Sequence, residues 1–387
     1  MKTLIYADYQ TDLTKYENLN SDIIVYDETG IIDTEFEKTD SIEMFSNVDA
    51  VIFTQNCIID GEYDTSKLKE ACIKIQNCVL DEVLLIFDTR VPPRTVLKMS
   101  KIIDEYELIP DIKLAYTTII NDNLRIIAAK NDYCLEKTVK LYENTSPIRT
   151  VKHIQTAEFI PILQNAYKDT LVALANETAI LSEALTIDLT EAIDVANTND
   201  EINLLYPKPV LKNEVSRDSE QINKLANEYG EPSQLSETIR NTNNYVAYHM
   251  AYMAEKELYL KEHLAMFETT VAILGITEDE ELLSQKDNAS LALIDDFVSR
   301  DVEVWAHDER VPEEIIEEHG AKKITLEEAY GADCIIVMTD TPEYRNMDPE
   351  RIEKVILTAL PIYDQEKFEN VKYSCVGHYR LKEGEML

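Results

Sequence analysis

Glycine is scarce in this sequence, with 8 among 387 residues and none before Gly30. A dinucleotide-binding unit places several glycines in the turn after its first strand, where the backbone must curl tightly against a pyrophosphate. Basic residues are also few: 37 Lys and Arg face 74 Asp and Glu, a net charge of -37. Such a surface repels phosphate backbones and anionic lipid, so neither nucleic acid nor a membrane is expected as a partner. No segment approaches the ~18 consecutive apolar residues of a membrane span. Met1 to Asp8 read as a strand followed by acid rather than as a secretory leader. The six cysteines, Cys57, Cys72, Cys78, Cys134, Cys334 and Cys375, show no CxxC pair and no framework spacing. They read as reduced, mostly buried thiols of a cytoplasmic protein. No histidine stands in HxxxH spacing, and no metal site is expected.

What is present is a change of pattern along the chain. In residues 1–150 short apolar runs alternate with helical stretches. Leu4-Ile5-Tyr6, Ile23 to Tyr26, Ala50 to Phe53 and Val83 to Phe87 read as buried strands, with further runs at Lys113 to Tyr116 and Leu124 to Ala128. Ser66 to Gln76 has helical spacing between two of them. This alternation predicts a parallel α/β sheet. Residues 151–264 are all helical in pattern. Phe159, Leu163, Ala166, Thr170, Leu174, Glu177, Leu181 and Leu185 form a stripe at intervals of three and four. A helix over Leu189 to Ala196, a loop with Pro207 and Pro209, and a long stretch from Ser233 to Leu264 follow. Tyr245, Tyr248, Met250, Tyr252 and Met253 in that stretch suit a packed interface. Residues 265–387 return to α/β, with strands at Val271 to Gly275, Val302 to Trp305 and Cys334 to Met338 and a helix from Leu291 to Ser299. The expected fold class is therefore α/β: two Rossmann-like parallel-sheet domains joined by a central all-helical dimerisation domain.

Several motifs in this order resemble the UDP-glucose/GDP-mannose, or nucleotide-sugar, dehydrogenase family, nearest to its UDP-N-acetylmannosamine type. Ala157-Glu158, Asn165 to Asp169 and Ala173 to Glu177 are similar to the family's central helix. Val304 to Asp308, Val311-Pro312, Leu326 to Ala329 and Thr339-Asp340 resemble its UDP-binding domain. Asp88 to Thr95 looks like its S-T-V-P-P-G-T stretch. The resemblance covers nearly the whole chain, more weakly over the first fifty residues. It implies NAD-dependent oxidation of a sugar C6 alcohol to a carboxylate through a cysteine thiohemiacetal and thioester, often for surface polysaccharide synthesis. It also implies a homodimer or a heterodimer with a related dehydrogenase.

The positions that this chemistry needs hold other residues. After the first strand stand Asp8-Tyr9-Gln10-Thr11-Asp12 instead of G-x-G-x-x-G, so bound NAD is not expected. Only about fifteen residues separate the first two strands, too few for a normal crossover helix. Asp27 stands where a ribose-binding acid would, and also where a turn residue would. The nucleophile loop aligns with Leu211 to Ser219. Glu214 takes the cysteine position, and no cysteine lies between Cys134 and Cys334. The family lysine falls on Pro161, a residue tolerated in a helix's first turn. Asn165 and Asp218 remain as catalytic remnants, with a packing role for Asn165 and a helix cap or solvated position for Asp218 as the plainer readings. In the last domain Thr277-Glu278-Asp279 replaces a cation, and the D-x-R motif falls on Leu357-Thr358-Ala359. Lys286 and Ser290 are the remaining candidates to touch a UDP-sugar phosphate. The expectation is a catalytically inactive homologue acting in assembly or regulation. A divergent active UDP-sugar 6-dehydrogenase and a UDP-sugar-binding sensor are the alternatives.

Overall fold

The computed structural model describes the chain apart from residues 10, 81, 108, 110, 122, 212–213, 279–287, 364–367, 369–371 and 378–387, and apart from the side chains of Glu214, Leu260, Lys261 and Lys372. The described chain divides into two compact units, residues 1–164 and 165–387.

The first unit is built on eight strands. They are β1 (Lys2–Tyr6), β2 (Asp22–Tyr26), β3 (Glu37–Thr39), β4 (Ala50–Phe53), β7 (Leu84–Asp88), β8 (Lys113–Ile120), β9 (Leu124–Ala129) and β10 (Ile148–Thr150), with a small hairpin β5 (Ile58–Ile59) and β6 (Glu62–Tyr63) outside the sheet. The spatial order is β10-β9-β8-β7-β4-β1-β2-β3. Helices α1 (Ser66–Lys74), α2 (Thr95–Ile103) and α3 (Asp132–Tyr142) connect strands. Every neighbouring pair is parallel except β8 and β9. The alternation in the sequence implied a wholly parallel sheet. Here the connection runs only from Asn121 to Asn123, and a hairpin that short returns the chain antiparallel. Between β1 and β2 the crossover contains one 3-10 turn, Leu13–Tyr16, in place of a helix. Central strands such as Ala50–Phe53 are buried on both faces, as helices on either side of a parallel sheet require.

Helix α4 (Ile154–Ala184) begins in the first unit and ends in the second. Pro161 lies in its eighth position rather than its first turn, so the helix continues although one backbone donor is lost. The remaining helices are α5 (Leu189–Ala196), α6 (Glu214–Tyr229), α7 (Gln234–Glu257), α8 (Ala289–Ser299), α9 (Glu313–Glu318), α10 (Leu326–Ala329) and α11 (Pro342–Arg345). The second sheet contains β11 (Thr270–Leu274), β12 (Glu303–His307), β13 (Lys322–Lys323), β14 (Cys334–Val337), β15 (Val355–Thr358) and β16 (Lys372–Cys375). Its order is β13-β12-β11-β14-β15-β16, all parallel. Val246, Met250 and Ala254 of α7 share one apolar core with Ile294 and Phe297 of α8 and with Val271 and Ile273 of β11. The helical stretch and the last sheet are thus packed into one body.

Candidate functional site

The loop after β1 is tied down by its own and neighbouring residues. The Asp8 carboxylate accepts from the Thr11 hydroxyl (3.2 Å) and from the Asn56 backbone N–H (3.1 Å), and lies 4.0 Å from Lys67 Nζ. Asp12 caps the 3-10 turn by accepting from Thr14 N at 3.1 Å. A pyrophosphate is held by free N–H groups at a helix N-terminus; this loop opens no α-helix and presents carboxylates instead. Asp27 organises the turn after β2. Its two oxygens accept from Thr29 N (3.2 Å), Thr29 Oγ1 (3.0 Å), Gly30 N (2.8 Å) and Ile32 N (3.0 Å). Four donors fill the lone pairs of a carboxylate, and those bonds hold its pKa below the usual range against the opposing effect of burial.

The Asp88 to Thr95 stretch leaves β7 and enters α2. Asp88 is locked by Arg125, whose Nη1 lies 3.2 and 3.1 Å from its two oxygens, and by the Tyr142 hydroxyl at 3.1 Å. Arg94, at the place of the glycine in S-T-V-P-P-G-T, keeps a left-handed backbone with φ 72°. Glu158 of α4 reaches the start of α2 and accepts from Arg94 N (2.5 Å) and Val96 N (2.8 Å). Burial nevertheless pushes its carboxyl up to about 7, because desolvation of the anion outweighs these bonds.

In the second unit α4, α6 and α7 enclose a polar seam. Asn165 Nδ2 donates to Asp218 Oδ2 at 2.7 Å, and Arg217 Nε donates to Asp218 Oδ1 at 3.2 Å. One turn along α4, Asp169 accepts from Arg240 Nη1 at 3.2 Å on both oxygens and from Asn243 Nδ2 at 2.8 Å. Asn176 Nδ2 then donates to Asn243 Oδ1 (2.9 Å) and to the Lys208 carbonyl (3.0 Å). All six of Asn165, Asp169, Asn176, Arg217, Asp218 and Asn243 are buried. The structure therefore brings Asn165 and Asp218 together. It also places Asp218 inside α6, as a buried helix residue rather than a cap or solvated group. The sequence reading missed α6, whose Val215, Ile222 and Leu225 are spaced for one helical face. Glu214, at the cysteine position, starts that helix; its side chain lies outside the described residues.

Five of the six cysteines are buried and Cys78 is half-buried. Burial raises the pKa of all six, to about 12 for Cys57 and Cys375. A thiolate nucleophile needs the opposite shift.

At the carboxyl edge of the second sheet, Ser290 donates to the Gly275 carbonyl at 2.8 Å and is buried. Asn288 caps α8 by accepting from Ser290 N and Leu291 N. The N–H groups of Ile276 and Thr277 point to Asp308 Oδ2 at 2.8 and 3.1 Å. Gly275 has φ 90°, and a side chain there would strike Thr339. Leu357-Thr358-Ala359, at the D-x-R position, is buried at the end of β15. Lys286 lies outside the described residues. Among those residues, no helix is long and apolar enough to cross a membrane.

Comparison with known proteins matches this arrangement. Residues 155–245 match the central domain, and residues 272–368 the UDP binding domain, of the UDP-glucose/GDP-mannose dehydrogenase family. The UDP-N-acetyl-D-mannosamine dehydrogenase of Methanococcus vannielii is 24% identical over 301 residues, covering 76% of this chain and 67% of the relative. That of Methanocaldococcus jannaschii is 26% identical over 331 residues, covering 80% and 74%. The structure of UDP-D-ManNAc dehydrogenase from Pyrococcus horikoshii superposes with a TM-score of 0.75 at 20% identity, over 97% of this chain and 99% of that one. With two of the family's domains matched in order, and the fold shared along the chain, this protein belongs to the UDP-glucose/GDP-mannose dehydrogenase family.

Proposed function

We propose that the dehydrogenase chemistry of the family is silent in this chain, and that it serves in assembly or regulation, pairing with a copy of itself or with a related dehydrogenase. The observation that carries this reading is a pair of exposed apolar stripes on the central helices. Along α4 they are Leu163, Tyr167, Leu174 and Leu181, each 47–58% exposed, with Leu185 just beyond the helix. On α7 and the turn after it, Tyr245, Tyr248, Tyr252 and Tyr259 are 53–64% exposed. Their spacings of three, four and seven keep each set on one helical face. Contiguous exposed apolar surface of this kind marks an interaction site.

Silence is supported by the glycine-free loop with its own carboxylates, by Pro161 in place of a lysine, and by raised pKa values at every cysteine. The same features argue against NAD as a cofactor. The sequence modules 1–150, 151–264 and 265–387 belong to this reading; the matches at 155–245 and 272–368 fall within the second and the third. A cytoplasmic location is part of the same reading, and six unpaired thiols support it. The test is calorimetric titration of the full chain with NAD, UDP and UDP-N-acetylglucosamine, beside a turnover assay. We expect no NAD binding and no turnover. Micromolar NAD binding with product formation would overturn the proposal and restore a divergent active enzyme, whereas UDP binding alone would point to the sensor.

A further inference from the structure

We propose that His307, Glu309 and Glu343 bind one divalent cation of the zinc–manganese class at the carboxyl edge of the second sheet. His307 ends β12, Glu309 follows two residues later, and Glu343 lies in α11 after β14. A ring nitrogen of His307 and one carboxylate oxygen from each glutamate all lie within 4.8 Å of one another. The three groups converge where the carboxyl ends of parallel strands leave a crevice.

Three observations set this cluster apart from ordinary surface acids. First, the histidine is built in. It is 4% exposed, and its Nδ1 lies 3.0 Å from the Tyr344 hydroxyl. That hydroxyl donates its one proton to the His307 carbonyl at 2.9 Å. The Nδ1 contact is then an N–H donating to the phenol oxygen, which leaves Nε2 as the lone-pair nitrogen. Nε2 has no hydrogen-bond partner among the described residues. Burial also depresses the pKa of His307, against the pull of Glu343, Asp308 and Glu309, so the ring is a neutral ligand.

Second, the charges are uncompensated. Asp308, the neighbouring acid, is held by Arg310, with Nε at 2.9 Å and Nη2 at 3.0 Å. Neither Glu309 nor Glu343 makes an ion pair among the described residues. The Glu343 carboxylate has one long contact, from Thr341 Oγ1 at 3.5 Å.

Third, the histidine stands near its carboxylates without pairing with them. His249 and His319 touch their carboxylates directly, at 2.9 and 2.7 Å. Among the described residues His307 forms no such pair. Ligands at ~2.0–2.2 Å from a common ion sit about 3–3.5 Å apart. Rotation of Glu309, which is exposed, and of Glu343, which is half-buried, closes the remaining distance. One imidazole with two carboxylates suits Zn2+ or Mn2+, and three protein ligands leave at least one position for water or an anion.

The experiment is calorimetric titration of chelator-treated full-length protein with Zn2+ and with Mn2+ separately, alongside thermal midpoints with and without each metal. We expect about one equivalent of tight binding, a midpoint that rises with metal, and at least tenfold weaker binding in E309Q and in E343Q. Glu136→Gln, an exposed acid on α3, should bind as the parent does and controls for loose association with an acidic surface. Unaltered metal-free midpoints in E309Q and E343Q would show that both variants fold. Absence of saturable binding to the parent protein would overturn the proposal, as would equal affinity in E309Q, E343Q and E136Q.

Discussion

Asn165 on α4 and Asp218 on α6 meet at 2.7 Å, amide to carboxylate, with both side chains removed from solvent. Arg217 Nε donates to the same carboxylate inside the helical seam. Asp218→Ala removes one acceptor from a buried guanidinium and one from a buried amide. We predict a loss of ~3–5 kcal/mol, the usual cost of removing one partner of a buried charged pair. Asn165→Ala should cost less, about 1–3 kcal/mol. Urea unfolding midpoints measure both, and a smaller shift for D218A than for N165A would show that the carboxylate does not anchor the seam.

The exposed stripes make a prediction about mass. Sedimentation velocity at micromolar concentration should give a species larger than the 44.4 kDa chain. The double substitution Leu174→Glu and Tyr252→Glu should give the monomer with unchanged helical circular dichroism, because both side chains are on the outside of their helices. A parent protein that sediments as a monomer and captures no related dehydrogenase would remove the assembly reading.

Thiol chemistry offers an independent check on silence. Because burial raises the pKa of all six cysteines, an aromatic disulfide reagent at pH 7 should find no fast-reacting thiol in the native protein and all six after unfolding. Cys78, the half-buried one, should lead the slow phase. A thiol modified within seconds, with loss of NAD-dependent turnover, would reopen covalent catalysis.

Glu158 should make stability depend on pH. Its carboxyl is raised from 4.5 to about 7 in the fold, so between those values the folded state holds more proton than the unfolded state. Its contribution is therefore greatest below pH 4.5 and is lost as pH rises through 7. Glu158→Gln does not titrate. The midpoint of the parent protein relative to E158Q should fall from pH 5 to pH 8 and then level off. A constant difference across that range would mean that Glu158 ionises normally.

Much of this architecture could be read along the chain because period and burial coincide. The boundaries of β1, β2, β4, α1, α5 and α8 followed from apolar spacing within a residue or two. Within the stretch that resembles S-T-V-P-P-G-T, Arg94 stands at the glycine and has a left-handed φ. Other features escaped for physical reasons. Helix α6 begins within a polar segment, in which Asp218 meets Asn165 of α4 and Glu220 pairs with Arg240 of α7. Their placement depends on residues about twenty to fifty positions away. Asp218 consequently looked like a helix cap or a solvated acid. The direction of the α4 stripe was equally hidden, since periodicity identifies an apolar face without saying what covers it. Metal-ligand spacing rules examine a few consecutive turns, whereas Glu343 is brought to His307 by the fold of the second sheet.

The joint core of α7 and the last sheet has a consequence for how this protein can be divided and inherited. Val246, Met250 and Ala254 find their apolar neighbours on α8 and β11, beyond residue 264. A gene fragment ending between the helical segment and that sheet would yield a polypeptide with an open greasy flank, and aggregation would be its fate. An exchange of coding segments that keeps this core intact must therefore carry the helical segment and the sheet behind it together.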